Sequence, residues 1–386
     1  PASGEALRTQ FTLQTSGWSD ENKSKLEYAF YYFPVPDGAS AASPPDVEWH
    51  DDVADSFWRS MGGVMLRGFL PSSQTSPFRL AAGSFFVAVR ARDVVGGIGV
   101  AKILGPLVNE AADLSDEEVD NVLNEALTSG SANDVLNTVN AISSTIGATS
   151  GGAATTKLLD AISSISQSGG SDESTVQMTA AVLKNVVGAS STGIQLNQVG
   201  QAADIMTATV SNLLASGNSV SRETGAALLD TVLSLGKAVG GRNSTDDEDA
   251  TAVAEQATIN LVAAIGSAML SSLADGESAT VSTTRPDGST LELVVSKVSG
   301  EEPFSISGLD IDAEVIKALI ADAGSADGGR RLAACGTVSV QSTDWVSSNP
   351  YGGILKPALG LNQHVPADAN VTSVKLDLCG TEVSGI

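Results

Sequence analysis

The sequence predicts a multidomain α+β protein with strands at both ends and helices in the middle. The aromatic residues are distributed unevenly: 14 of the 17 precede residue 87, and none lies in 87–303. The hydrophobic pattern also changes along the chain. Apolar residues alternate near both ends but recur at helical spacing over the middle. From these two shifts we expect three regions, namely residues 1–103, 104–276 and 277–386.

Composition excludes several classes of function. Asp and Glu number 45 against 21 Lys and Arg, which gives a net charge of −24. Such a field repels nucleic-acid phosphates and anionic membrane surfaces, so we expect neither as a partner. No run of 18 consecutive apolar residues occurs, so we expect no membrane span within this chain. The sequence begins at Pro1 without a signal-peptide pattern, which indicates a processed chain or part of a longer one.

The first region has the pattern of short β-strands. Two runs alternate with period 2: Leu26, Tyr28, Phe30 and Tyr32 form one, and Phe85, Val87, Val89 and Ala91, with Arg90 and Arg92 opposite, form the other. Segments rich in Pro and Ser, at 38–45 and 71–77, separate the runs and indicate turns. About 100 residues of this kind predict a β-sandwich.

The middle region predicts about seven short helices. Ser115 and Glu118 have the spacing of a capping box, in which each side chain accepts a hydrogen bond from the other's backbone N–H. A glycine follows each apolar stripe and is a common helix stop: Gly130, Gly147, Gly169, Gly188, Gly217, Gly240 and Gly276. The regular spacing leaves a solenoid open, but no residue-specific repeat supports it, so we favour an all-helical bundle.

The last region returns to strands. Residues 280–284 and 290–295 flank Arg285-Pro-Asp-Gly-Ser289, which predicts a hairpin because Gly288 tolerates positive φ. We also expect a short helix over 312–323 and strands over 336–341 and 371–378.

Sites for catalysis, metals or cofactors are not indicated. The acidic run Asp246–Asp249 could attract a cation, but it lacks the ligand spacing of a calcium loop and is better explained as a solvated entry to a helix. Gly96–Gly99 does not match a phosphate-binding motif, which favours a linker. Asp310–Asp312 is interpreted as a helix cap, and His50 as a surface residue without a nucleophile to activate. We therefore expect a protein that is not an enzyme.

The cysteines and glycosylation motifs do not establish whether the chain is secreted or intracellular. Cys335 and Cys379 are the only cysteines, and each adjoins a predicted strand. They are either two buried thiols or a disulfide closing a loop of about 45 residues, worth roughly 4 kcal/mol in the chain-entropy model. Asn-X-Ser/Thr motifs occur at Asn22, Asn243 and Asn370. Chance predicts a similar number in a chain this rich in Ser and Thr, so these motifs do not establish secretion.

The first region resembles the receptor-for-egg-jelly (REJ) module of large polycystins and sperm receptors. Three segments carry the resemblance: Phe11–Trp18, Leu26–Phe30 with Tyr28 at its centre, and Phe86–Asp93 followed by Gly96-Gly97. The resemblance implies an immunoglobulin-like or fibronectin-like sandwich.

The remainder resembles the GAIN domain, which in polycystins lies between that module and the membrane. A helical subdomain precedes a β subdomain in both, and Asn349-Pro350-Tyr351 looks like the Asn-Pro-aromatic segment of polycystin GAIN domains. GAIN domains usually end in a proteolysis motif with paired Cys and Trp. The residues after Cys379 do not contain that motif, so self-cleavage is assigned to no residue here.

The resemblance implies a non-enzymatic extracellular segment at the cell or ciliary membrane. Its expected roles are ligand or matrix binding, mechanical coupling, or attachment to other extracellular glycoproteins or a polycystin-type channel subunit. An extracellular site would favour the Cys335–Cys379 disulfide. A structural subunit of an extracellular filament or cell wall is the main alternative. An unrecognised hydrolase is a third possibility.

Overall fold

A computed structural model divides the chain into two compact units, Pro1–Gln198 and Val199–Ile386. The boundary falls within the predicted helical region, so each unit combines strands with helices. The three-region division drawn from sequence stays a prediction. The structure describes residues 3–20, 25–35, 63–95, 97–102, 107–146, 152–167, 172–189, 194–240, 248–285, 287–299, 303–306, 309–312, 314, 317, 337–346, 370–378 and 381–382.

In the described residues, the first unit combines one mixed sheet with four helices. Its strands are β1 (Ser3–Glu5), β2 (Glu27–Pro34), β3 (Val64–Leu70), β4 (Gly83–Arg92), β5 (Ile98–Lys102) and β6 (Leu107–Glu110). They lie in the order β1-β6-β4-β2-β3, and β5 also pairs with β4. Only β1 and β6 are parallel among these described strands. The helices are α1 (Asp116–Ser129), α2 (Ala132–Ile146), α3 (Gly152–Gln167) and α4 (Glu173–Ala189).

The alternation in β2 and β4 predicts one apolar face, and that face is buried, but the structure buries the opposite face as well. One face joins Phe30, Tyr32 and Phe85 to Phe11 and Phe78, and the other gathers a separate cluster. That second cluster contains Ala29, Tyr31, Phe33, Phe86 and Ala88. The Phe11–Phe78 pairing is an isolated bridge against the first face. The described strands thus confirm a β region, while an immunoglobulin-like sandwich belongs with the proposals below.

Gly97 and Gly99 belong to the β4–β5 hairpin, so the linker interpretation of Gly96–Gly99 is wrong for these residues, and Gly96 lies outside the described residues. The Asp93 carboxylate accepts hydrogen bonds from the N–H groups of Val95 and Gly97, at 2.9 and 2.8 Å. A Cβ on Gly97 would lie 2.8 Å from that carboxylate, and one on Gly99 would lie 3.0 Å from the Trp18 ring. The glycines are therefore needed for a close turn between paired strands.

The first helix begins and ends as predicted. Ser115 Oγ accepts from the Glu118 N–H at 3.3 Å, and the Glu118 carboxylate accepts from the Ser115 N–H at 3.0 Å. Gly130 ends α1 with φ of 69°, a left-handed conformation that a Cβ would strain. The glycine rule fails at Gly188, which lies within α4 because one glycine costs too little to stop a well-packed helix.

The second unit places helices on a five-stranded antiparallel sheet. The boundary between units falls inside α5 (Leu196–Ala215), and α6 (Arg222–Gly240) and α7 (Glu248–Leu270) follow. The strands are β7 (Ser278–Thr284), β8 (Thr290–Ser299), β9 (Phe304–Ile306), β10 (Leu309–Ile311), β11 (Thr337–Val346), β12 (Val371–Leu378) and β13 (Thr381–Glu382). The sheet order is β13-β12-β11-β8-β7, and β9 pairs only with β10 among the described strands.

Close helix–sheet contacts define the core of the second unit. A Cβ on Gly225 of α6 would lie 3.5 Å from the methyl carbons of Val281 on β7, which is ordinary packing distance. On α7, a Cβ on Gly266 would overlap the Gln341 side chain, which donates to the Val262 carbonyl at 3.2 Å. The helix-facing side of the sheet also buries Leu291, Leu293, Val295 and Trp345.

The strand predictions here are confirmed, with two adjustments. The β7–β8 hairpin forms at the expected residues, and Gly288 takes φ of 87°. The strand expected at 336–341 is longer, since β11 extends to Val346. Asp310 lies in β10 opposite Ser305, so the cap interpretation of Asp310–Asp312 is wrong for Asp310 and stays a prediction for Asp312. Most of the helix expected over 312–323 lies outside the described residues.

Helix α7 is apolar enough to resemble a membrane span by length and composition. Residues Asp249–Leu270 have a mean hydropathy of 1.3 in their most apolar window, and 61% of that window is buried. The helix packs on β8 and β11 and buries Glu255. A helix that is hydrophobic all round and packed inside a protein is typical of a core helix.

Candidate functional site

Edge strand β3 of the first sheet is contacted by side chains of α2 and α4. Asn137 on α2 is buried and donates from Nδ2 to the Leu66 carbonyl at 3.0 Å. An edge strand leaves carbonyls without a neighbouring strand, and a buried unsatisfied carbonyl costs about 1–3 kcal/mol. A helix side chain therefore replaces the missing strand at this position. We call this contact region of β2, β3, α2 and α4 the sheet–helix junction.

A chain of three polar side chains, of which Tyr32 and Asn140 are buried and Asn185 is part-buried, lies in the sheet–helix junction. Asn140 on α2 donates to the Tyr32 hydroxyl on β2, and Asn185 on α4 donates to Asn140 Oδ1 at 2.7 Å. Burial raises the pKa of Tyr32 well above its usual range, because it disfavours the phenolate. The three residues thus link one strand and two helices through neutral hydrogen bonds.

Close backbone approach completes the junction. Gly68 on β3 faces Ser174 at the start of α4, and a Cβ on Gly68 would lie 2.4 Å from the Ser174 Cβ. The Ser174 hydroxyl also contacts the Met65 sulfur at 3.7 Å. Because Gly68 carries no side chain, α4 can reach the strand.

Arg67, the neighbouring residue on β3, ties down the turn that follows the strand. Its guanidinium donates to the carbonyls of Tyr28 (3.2 Å), Ser72 and Gln74. It also lies 4.8 Å from the centre of the Phe30 ring. Burial lowers the pKa of Arg67 because the cation loses hydration. This group acts as a structural clamp on the chain between β3 and β4.

Ion pairs connect the N-terminal segment and β-region to α1. Arg8 contacts Glu118 at 2.9 Å and Arg79 contacts Glu125 at 2.7 Å. The Ser115 N–H and then the Arg8 guanidinium hold the pKa of Glu118 below its usual value. These pairs are mostly exposed, so each adds little, but together they add a second attachment between sheet and helices.

The sheet–helix junction provides hydrogen bonds and packing contacts rather than reactive groups. Among the described residues, no cluster of three or more His, Cys, Asp or Glu could hold a metal ion. The arrangement can hold strands and helices together and pass a load from one to the other.

The predicted site residues fall into two groups. Trp18, Tyr28 and Phe30 contribute to one core: the Trp18 and Tyr28 rings meet edge-on at 6.4 Å, and Phe30 is fully buried. Asn370 is exposed just before β12. The others lie outside the described residues: Asn22, Asn243, Cys335, Asn349, Pro350, Tyr351 and Cys379. His50 also lies outside them.

Sequence reasoning missed the polar residues of the junction. Asn137 and Asn140 are three positions apart on α2, and each directly follows a buried apolar residue, Leu136 and Val139 respectively. Polar residues inside an apolar helical stripe are the signal that could have found them, because buried amides need a partner. Their partners on β2 and β3 could not have been inferred from the stripe itself.

Comparison with known proteins adds no relative. No protein-family model and no curated protein matches this chain.

Proposed function

We propose that this chain is a non-enzymatic extracellular segment of a polycystin-like protein at the surface of a cell or cilium. Its first part would be a REJ-like module of immunoglobulin or fibronectin type, and the rest a GAIN-like pair of helical and β subdomains. The order of strands, helices and strands supports this proposal. So does the packing of Trp18, Tyr28 and Phe30, which carry the sequence resemblance, in one core.

Mechanical coupling is the role that the geometry supports best. The observation that carries it is the sheet–helix junction, where buried amides of α2 bond to β2 and β3 and a part-buried amide of α4 bonds to α2. A segment between a ligand-binding part and a membrane must carry load without separating its layers. The partners would be other extracellular glycoproteins or a polycystin-type channel subunit.

A structural subunit of an extracellular filament or cell wall is the second candidate. The observation that favours it is the uncharged edge strand β7, whose seven residues pair with β8 on one side. Lateral assembly through exposed strands is a common way to build such polymers.

Sequencing the native protein beyond Ile386 distinguishes the two candidates. We expect a Cys/Trp proteolysis motif followed by apolar segments of about 20 residues. Further repeats that end without a membrane anchor would overturn the receptor proposal. Antibody labelling of intact cells tests the location separately, and signal only after permeabilisation would contradict it.

Single-molecule pulling of the whole chain tests mechanical coupling. We expect Asn140→Ala to lower the unfolding force of the first unit, because it removes one buried and one part-buried hydrogen bond, worth about 1–3 kcal/mol in total. Asn260→Ala is the control, since Asn260 is an exposed amide on α7. Equal unfolding forces for Asn140→Ala and the unmodified chain would argue against a load-bearing junction.

A further inference from the structure

Strand β7 is an edge strand without the features that usually protect such strands. It lies at the end of the second sheet, and among the described strands only β8 pairs with it. All seven residues pair with β8 in one register, and none of them is charged or is proline. Natural proteins block exposed edges with charge, proline, bulges or covering elements.

Three other edges among the described strands show such protection. Strands β1 and β13 have only three and two residues. The Leu66 carbonyl of β3 is bonded by Asn137 from α2. In a chain of net charge −24, seven uncharged residues at a long edge are therefore an exception that calls for a pairing partner.

Backbone direction shows which residues of β7 would pair outward. The Lys297 N–H donates to the Glu277 carbonyl, and the Arg285 N–H donates to the Ser289 carbonyl, both at 2.9 Å. Odd-numbered residues therefore direct their backbone groups toward β8. Because this direction alternates along a strand, the even-numbered residues direct theirs away from β8. These are Ser278, Thr280, Ser282 and Thr284, and all four are exposed.

We propose that β7 is a dimerisation edge at which a second copy of this chain pairs antiparallel, with a two-fold axis at Val281. In this register Ser278 would pair with Thr284 of the second copy, and Thr280 with Ser282. Every pair joins two outward-directed residues, as an antiparallel ladder requires. One sheet would then continue across both copies.

Side-chain chemistry supports a second copy as the occupant. Hydroxyl side chains face hydroxyl side chains in these pairs, and such pairs already form within the sheet: Ser278 with Ser296 at 2.8 Å and Thr284 with Thr290 at 3.1 Å. Cross-strand hydroxyl pairs stabilise sheets. The same register places Glu277 opposite Arg285 of the second copy, although the Arg285 guanidinium is already bonded to Asp230 within its own chain. This inference does not depend on the proposed function.

Sedimentation equilibrium of the 386-residue chain over a concentration series tests the dimer. We expect the unmodified chain to dimerise. Thr280→Lys combined with Ser282→Lys should weaken dimerisation at least about tenfold, because lysines on facing residues repel one another and block the edge. The matched control is Val253→Lys with Gln256→Lys, which adds the same charge at exposed positions on α7.

Thr280→Pro is a second variant that separates pairing from folding. The Thr280 N–H is directed away from β8, so proline removes no hydrogen bond of the β7–β8 ladder but blocks outward pairing. We expect a folded monomer, with the circular dichroism of the unmodified chain. A monomer at every concentration of unmodified chain, or dimerisation unchanged in both variants, would overturn the proposal.

Discussion

The two units build similar helix-on-sheet layers from different residues. The first sheet buries aromatic rings on both faces, whereas the helix-facing core of the second is mainly aliphatic, with Trp345 the only aromatic ring among its described buried residues. Their edges differ too, because helix side chains bond to β3 while β7 carries an uncharged row of hydroxyls. Helix-on-sheet layers can therefore contact one edge strand with helix side chains, as at β3, and leave another edge strand available for association, as at β7.

Removing one core ring should have the largest effect. We expect Phe30→Ala to destabilise the first unit by about 3–5 kcal/mol, since it leaves a cavity and removes the ring beneath Arg67. Leu293→Ala is the counterpart in the second sheet, with an expected loss of about 2–5 kcal/mol. Urea unfolding followed by amide exchange should locate the lost protection in β2–β4 and in β7–β11 respectively. A loss below about 1 kcal/mol for Phe30→Ala would mean that the first core tolerates the cavity.

Reducing the expected disulfide should have the next largest effect, and it should lower the stability of the second unit only. Both cysteines belong to the second unit by sequence, Cys335 three residues before Val338 and Cys379 one residue after Leu378, which lie opposite each other in the β11–β12 ladder. We expect Cys335 and Cys379 to form a disulfide, so reduction should destabilise that unit by roughly 4 kcal/mol. Peptide mass spectrometry without reduction checks the bond. Alkylation of both thiols in unreduced protein would show that they are free.

Filling the gap between β3 and α4 should have a smaller effect. We expect Gly68→Ala to cost about 1–3 kcal/mol, because its Cβ would overlap Ser174. In a Ser174→Gly background the same substitution should cost less, and the difference measures the contact directly. Equal costs in both backgrounds, measured by urea unfolding, would show that another neighbour sets the penalty.

Lowering the pH should have the smallest effect on stability. One carboxylate in each unit, Glu118 in the first and Asp287 in the second, allows the two units to be compared. The pKa of Glu118 is lowered, first by the Ser115 N–H and then by Arg8, and that of Asp287 is lowered mainly by Lys237. A lowered folded-state pKa gives stability that is complete above the unfolded value and is lost as pH falls through the folded value. Both groups are exposed, so we expect Glu118→Gln or Asp287→Asn to shift the melting temperature by about 2 °C or less near neutral pH.

Salt provides the control for this last prediction. Screening by salt should reduce the difference in melting temperature between each variant and the unmodified chain. The reason is that the Glu118–Arg8 and Asp287–Lys237 pairs are both accessible to ions. Melting temperatures measured from about pH 2 to pH 7 at low and high salt check it. A larger difference at high salt would show that the carboxylates act through packing rather than charge.

Local sequence signals predicted much of the fold and little of the candidate site. The capping box at Ser115 and the hairpin around Gly288 follow from a few adjacent residues, so they could be predicted. The roles of Gly97 and Gly188 could not, because a hairpin partner decides the first and surrounding helix packing the second. The sheet–helix junction depends on Asn140 and Tyr32, which are 108 residues apart in the chain.

The sequence by itself determined the mixed α+β class, the order of strands and helices, and the alternating faces of β2 and β4, because periodicity and capping act over a few residues. Only the tertiary structure decided that the helices divide between two units, that Asn137 closes the edge of β3, and that β7 lies at a sheet edge. Those properties depend on which distant segments meet. Contacts between distant segments depend on how whole layers of helices and strands pack, and a local sequence pattern does not predict that packing.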